Sequence, residues 1–152
     1  MLFNTARKRD FSPQVALGDG DQTLELVEQV KLLGIIVTSD MKWHANTAYL
    51  SDKGYGRLWM IRNLKRLGAS KAELLEVYEK QCRSILELAV PVWTAGLTSE
   101  DVVALERVQK SAFAIILGRQ YNGYQDAVTD LHMKSLEERR MDFKFAKKKC
   151  EE

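Results

Sequence analysis

The apolar residues of this chain change period at Trp43, and that change most constrains what it can fold into. Downstream, Leu50, Gly54, Leu58, Ile61 and Leu64 recur at spacings of four, four, three and three, the repeat of one helix face. Gly68 closes the pattern, as a glycine just past a helix end does. Ser70 and Glu73 form a capping-box pair that opens a second helix. This helix carries two apolar rows. One is Leu74, Tyr78, Gln81, Ile85, Leu88 and Val92; the other is Leu75, Cys82, Leu86, Ala89 and Trp93. Together they predict a central helix buried over most of its circumference, kinked or ended by Pro91.

Thr98–Asp101 predicts the cap of a third helix, with Val102, Leu105, Val108, Ala112, Ile115 and Ile116 on its stripe and a stop at Gly118. Tyr121–Tyr124 reads as a loop, followed by a short helical piece to Leu131. Ser135 and Glu138 open a basic last helix that runs through Lys149.

Upstream of Trp43 the pattern is β. Met1–Phe3, Gln14–Leu17 and Leu24–Val27 are short apolar runs, the second closed by the turn cluster Gly18–Asp21. Val30–Val37 is the strongest, and its near-continuous apolar run suits a strand covered on both faces. The expected class is therefore mainly α. Residues 1–42 form a short N-terminal β-hairpin or small sheet, and residues 43–152 form four to five helices.

At 152 residues the chain is about one domain long and can bury a core. Hydrophobic residues at 45% and charged residues at 29% are ordinary globular composition and exclude disorder. Two cysteines, Cys82 and Cys150, exclude a disulfide framework, and with only His44 and His132 beside them they give no zinc spacing. A reducing, intracellular compartment is expected. No leader pattern and no membrane-length apolar run is present, which disfavours secretion and spanning.

No phosphate loop, dinucleotide fingerprint or metalloprotease helix occurs. Cys82 lies on an apolar row and reads as an inert core thiol. Charge is more informative. Residues 53–71 hold Lys53, Arg57, Arg62, Lys65, Arg66 and Lys71 and no Asp or Glu. Lys53 and Arg57 share one face by their spacing of four; Arg62, Lys65 and Arg66 share another. Tyr55 and Trp59 are interleaved. A one-signed face draws phosphate by counterion release, and rings can stack on sugars or bases. The plainer reading is a solvated basic helix whose aromatic residues face the core. A second basic cluster, Arg139, Arg140, Lys144 and Lys147–Lys149, is diluted by neighbouring acids.

Short phrases occur in a fixed order along nearly the whole chain: Met1–Phe3, Val30–Val37 with Asp40–Trp43, Lys53, Arg57–Lys65, Tyr78, Leu86–Trp93, Leu105–Lys110, Ile115–Gly118 and Leu136–Arg140. The ordered set resembles the C-terminal part of reverse transcriptases from non-LTR, LINE-class retrotransposons of the Jockey-like type. Leu88 departs from the family, where Tyr is usual. The resemblance implies the end of the palm, a primer-grip hairpin involving Leu33, Gly34, Ile35 and Trp43, and a helical thumb. The family's catalytic Asp residues hold two Mg²⁺ ions on the palm. This sequence has no Asp-Asp pair. The resemblance thus implies a piece without fingers or catalytic palm, with no catalytic residue, metal or cofactor of its own, Mg²⁺ being expected only in that palm. Its partners would be an RNA–DNA hybrid or primer–template and the parent enzyme's upstream palm and fingers, in nucleus or cytoplasm, without a membrane.

Residues from Leu32 to Trp93 are also similar to a domain named after the N-terminus of AlkB-homologue tRNA-modifying proteins. That name carries dioxygenase and methyltransferase associations. An Fe(II) facial triad needs His-x-Asp, whereas Ala45 and Asn46 follow His44, and no Gly-rich methyl-donor loop is present. The competing expectation is a helical protein-interaction module, or a degenerate remnant of such an element, with a merely solvated basic face.

Overall fold

The computed structural model describes residues 27–149, with side chains described through residue 143. The expected runs at Met1–Phe3 and Gln14–Leu17, nearly all of Leu24–Val27, and the Gly18–Asp21 turn lie outside the described residues. The described chain is mainly α. Strands β1 (Gln29–Leu32) and β2 (Ile35–Thr38) precede α1 (His44–Arg66), α2 (Lys71–Val77), α3 (Ser84–Leu86), α4 (Val90–Trp93), α5 (Ser99–Leu117), α6 (Tyr124–Asp130) and α7 (Leu136–Lys149). A π-helical segment, Tyr78–Arg83, joins α2 to α3 in one rod.

The run Val30–Val37 is not one doubly covered strand. It folds into an antiparallel hairpin in which Val30 pairs with Val37 and Leu32 with Ile35. The turn is Leu33-Gly34, and both residues have positive φ, 49° and 89°. That geometry matches the twist of the flanking strands and suits glycine at Gly34. Leu33 at the tip is apolar yet 90% exposed, which makes the run look continuous by hydropathy alone; the hairpin expected from the resemblance, with its turn around Leu33, Gly34 and Ile35, is present. Asn46 fastens the hairpin to α1, its buried side-chain oxygen accepting the Ile36 N–H at 3.0 Å.

Helix α1 ends as expected. Gly68 takes φ of 89°, the Ala69 N–H reaches the Leu64 carbonyl at 3.0 Å and the Gly68 N–H reaches that of Lys65 at 3.1 Å. Two crossed bonds of this kind satisfy carbonyls that the helix end leaves open. The capping boxes at Ser70/Glu73 and Thr98/Asp101 are both formed, and Ser135 and Glu138 exchange the same pair of bonds at the start of α7.

The second helix differs from its expectation. It is not buried all round, because Gln81, Leu88 and Val92 face solvent. Its buried stripe is Leu74, Tyr78, Cys82 and Leu86, four residues apart each time and drawn from both expected rows. A repeat of four drifts around an α-helix of about 3.6 residues per turn; the wider π segment holds it on one face. The rod then breaks before Pro91, at Ala89, whose φ is 53°. Pro91 sits in the first turn of α4, where its missing N–H is harmless.

The central contact is instead α1 against α5. Leu58 and Ile61 pack with Ala112, Phe113 and Ile116, and Tyr78 and Leu74 close that layer from α2 and the π segment. Toward the hairpin, Ile35, Trp43 and Leu50 pack with Leu86, Trp93 and Val108. The β-hairpin and helices therefore share a core. Close approach needs Gly54: a methyl there would lie 2.9 Å from Val108 and 3.0 Å from Leu86.

Candidate nucleic-acid interface

The inward face of α1 carries Leu50, Gly54, Leu58 and Ile61, so its remaining residues are turned to solvent. Lys53, Arg57, Arg62 and Arg66 are all exposed, as is Lys71 at the start of α2. Among the described residues none of these five takes part in an ion pair. At about 100° per residue, Arg57 and Arg62 stand about 140° apart around the axis. Lys53 with Arg57 thus forms one flank of the helix, and Arg62 with Arg66 the other. Between them lies an outer crest with Trp59, 68% exposed, while Tyr55, 41% exposed, stands on the flank of Arg62 and Arg66. Both rings face water, not the core.

Lys65 is different. It is half-buried, and its ammonium donates to the carbonyls of Ile115 and, at 3.2 Å, of Ile116 at the end of α5. A cation there offsets the negative end of the helix dipole and fills open acceptors. Lys65 belongs to the packing of α1 on α5, and the expected face of three cations keeps only Arg62 and Arg66 free for an outside anion.

The hairpin adds a residue that sequence reasoning missed. Lys31 on β1 donates to the Tyr49 hydroxyl at 2.7 Å, and its ammonium lies 4.7 Å from the ring centre. The Lys53 ammonium lies 5.6 Å from the same ring. This hydrogen bond from Lys31, with the nearby charges, lowers the Tyr49 pKa below the ordinary tyrosine value. Below them an open groove of about 450 Å³ is lined by Tyr49, Asp52, Lys53, Gly56 and Arg57. Tyr49 was detectable, one turn before Lys53. Lys31 was not, because only the hairpin register brings it to α1.

The chain matches no family model, no curated protein and no solved structure.

The four expected grip residues separate. Leu33 and Gly34 form the hairpin tip, where a methyl on Gly34 would meet the Leu88 side chain at 3.0 Å. Ile35 and Trp43 are core residues, each 7% exposed. The Trp43 ring lies against Gly96, where a methyl would come within 2.7 Å of it. These two shape the hairpin from beneath and present no surface to an outside molecule.

In the second basic cluster, the two residues with described side chains, Arg139 and Arg140, lie beside acids. Arg139 holds Glu87 through two nitrogens, and Lys134 pairs with Asp142 at 2.8 Å. Arg140 is buried, 3.6 Å from Glu106. The side chains of Lys144 and Lys147–Lys149 lie outside the described ones.

Asp101 and Cys82 serve the packing of the helices. Asp101 is buried and its carboxylate accepts from the Thr47 hydroxyl at 2.6 Å and the Thr98 hydroxyl at 2.7 Å, with His44 Nδ1 at 2.9 Å. Burial works against the charge, but these bonds outweigh it and hold the carboxyl at about 2. This cluster ties the start of α1 to the start of α5. Burial pushes the Cys82 thiol up to about 11, as an inert core cysteine requires.

Proposed function

We propose that α1 is a phosphate-binding helix that holds nucleic acid, acting as the thumb of a non-LTR type RNA-directed DNA polymerase whose catalytic palm is not in this sequence. The observation that carries this is the set of exposed cations on both flanks of one helix that have no ion-pair partner among the described residues. Lys53 and Arg57 stand on one side, and Arg62 and Arg66 on the other. Unpaired arginine and lysine side chains at regular helical spacing suit the repeating charge of a phosphate backbone. Lys71, at the start of α2, is a further exposed cation. The Leu33-Gly34 tip of the hairpin stands ready for the grip that the resemblance implies.

Binding of a labelled RNA–DNA hybrid, followed by anisotropy across salt concentrations, tests the reading. Four phosphate contacts give a slope of roughly −3 to −4 in log K against log salt. Arg62→Glu with Arg66→Glu should weaken binding and flatten that slope. Affinity that is indifferent to salt or to these reversals would refute it and favour an interaction module with a solvated face.

A further inference from the structure

We infer that the crest of α1 around Trp59 is a stacking platform for an unpaired base, so that α1 takes a single-stranded segment of nucleic acid in addition to duplex phosphate. The inference rests on the phosphate-binding reading above and adds the part of the ligand that phosphate contacts do not see.

Three observations converge on this crest. First, the three tryptophans have divided roles. Trp43 and Trp93 are core, 7% and 0% exposed, whereas Trp59 is 68% exposed. An indole held outward on a well-formed helix packs against nothing on that face among the described residues. Second, Gly56 sits one turn before it in the helix interior, where glycine is the poorest helix former after proline. Gly54 is explained by its contacts with Val108 and Leu86, but a methyl on Gly56 would meet nothing within 4 Å. Packing does not ask for this glycine. Open space beside an outward ring is what a flat ligand needs. Third, cations bracket the ring. Arg62 follows Trp59 by three residues on the same side of the helix, with Arg66 one turn on, and Gly56 opens into the groove that holds Lys53 and Arg57. Among the described residues, Asp52 is the one acid lining that groove. A strand crossing α1 from the Lys53 flank to the Arg66 flank would set its phosphates on cations and one base on the indole.

The ligand class follows from this geometry. In a duplex the base faces are covered by their neighbours, and a protein meets phosphate and groove edges. A free base offers its π-face to an aromatic ring whatever its sequence.

Intrinsic fluorescence of the full chain tests the inference, because Trp59 alone among the three tryptophans is open to solvent. The probes are an oligothymidylate and a blunt duplex of equal phosphate count. The single strand should quench the exposed emission, and Trp59→Ala should lose about tenfold in its affinity while keeping the salt slope. Trp59→Phe should retain most of the affinity. Gly56→Leu, which lays an aliphatic chain against the ring, should weaken the single strand with an unchanged or raised melting temperature. Equal affinity of Trp59→Ala for the oligothymidylate, or equal quenching by the duplex, overturns the platform and leaves the phosphate reading standing. Absence of salt-dependent binding to either probe overturns both.

Discussion

The ammonium of Lys65, near the end of α1, lies 3.2 Å from the carbonyl oxygen of Ile116, at the end of α5. The two residues are 51 apart in sequence, and their meeting fixes the relative height of the two longest helices. Gly118 makes room for it: a methyl there would lie 2.6 Å from the Lys65 nitrogen.

Lys65→Met should therefore lower unfolding free energy by about 1 kcal/mol, the usual worth of a cation on helix-end carbonyls. Arg62→Glu, three positions earlier on the same expected basic face, should leave the denaturation midpoint nearly unchanged and weaken nucleic-acid binding instead. Urea denaturation alongside anisotropy separates the two effects. A binding loss for Lys65→Met without a stability loss would reverse the assignment.

Acid should weaken the joint between α1 and α5. The Asp101 carboxyl is held at about 2, below its ordinary value of 3.8. A depressed folded-state pKa contributes stability that is complete above the unfolded value and is lost as pH falls through the folded one. About 2 kcal/mol should disappear between roughly pH 4 and pH 2. Asp101→Asn should be less stable at neutral pH and should lack this part of the acid slope. Denaturation series at several pH values read the difference directly; parallel slopes for the two proteins would count against the cluster.

Two glycines of α1 should respond with opposite signs. Gly56→Ala meets no neighbour and should stabilise by about 0.5–1 kcal/mol through helix propensity alone. Gly54→Ala drives a methyl to 2.9 Å from Val108 and should destabilise by about 1–3 kcal/mol despite the same gain in propensity. Thermal unfolding of the pair is the measurement, and the same sign for both would contradict the packing of α1 on α5.

Cys82 should resist alkylation in the folded protein. Its thiol is buried and held at about 11, so little thiolate forms at neutral pH and reagent has no path to it. In a Cys150→Ala chain, mass spectrometry after iodoacetamide should show no adduct until denaturant is added. Rapid native labelling would mean that the π segment opens.

Local signals in the residues were read correctly wherever the physics is local. Ser70 with Glu73 and Thr98 with Asp101 cap helices because a side chain bonds its own first turn. Gly68 ends α1 because a left-handed residue is needed there. By hydropathy alone Val30–Val37 suits one continuous strand, while the hairpin with its turn around Leu33, Gly34 and Ile35, implied by the resemblance, is formed. The second helix differs because the spacing of Leu74, Tyr78, Cys82 and Leu86 fits a π segment better than two α-helical rows.

The candidate interface divides the same way. Sequence by itself determined that α1 is a helix, that the stretch from residue 53 to 71 bears cations without acids, and that Trp59 and Tyr55 lie among them, because composition and period are properties of one segment. Only the tertiary structure decided which of those groups are free. Burial and partnership depend on what packs against a face. The end of α5 engages Lys65, the hairpin brings Lys31 to Tyr49, and nothing among the described residues covers the crest at Trp59.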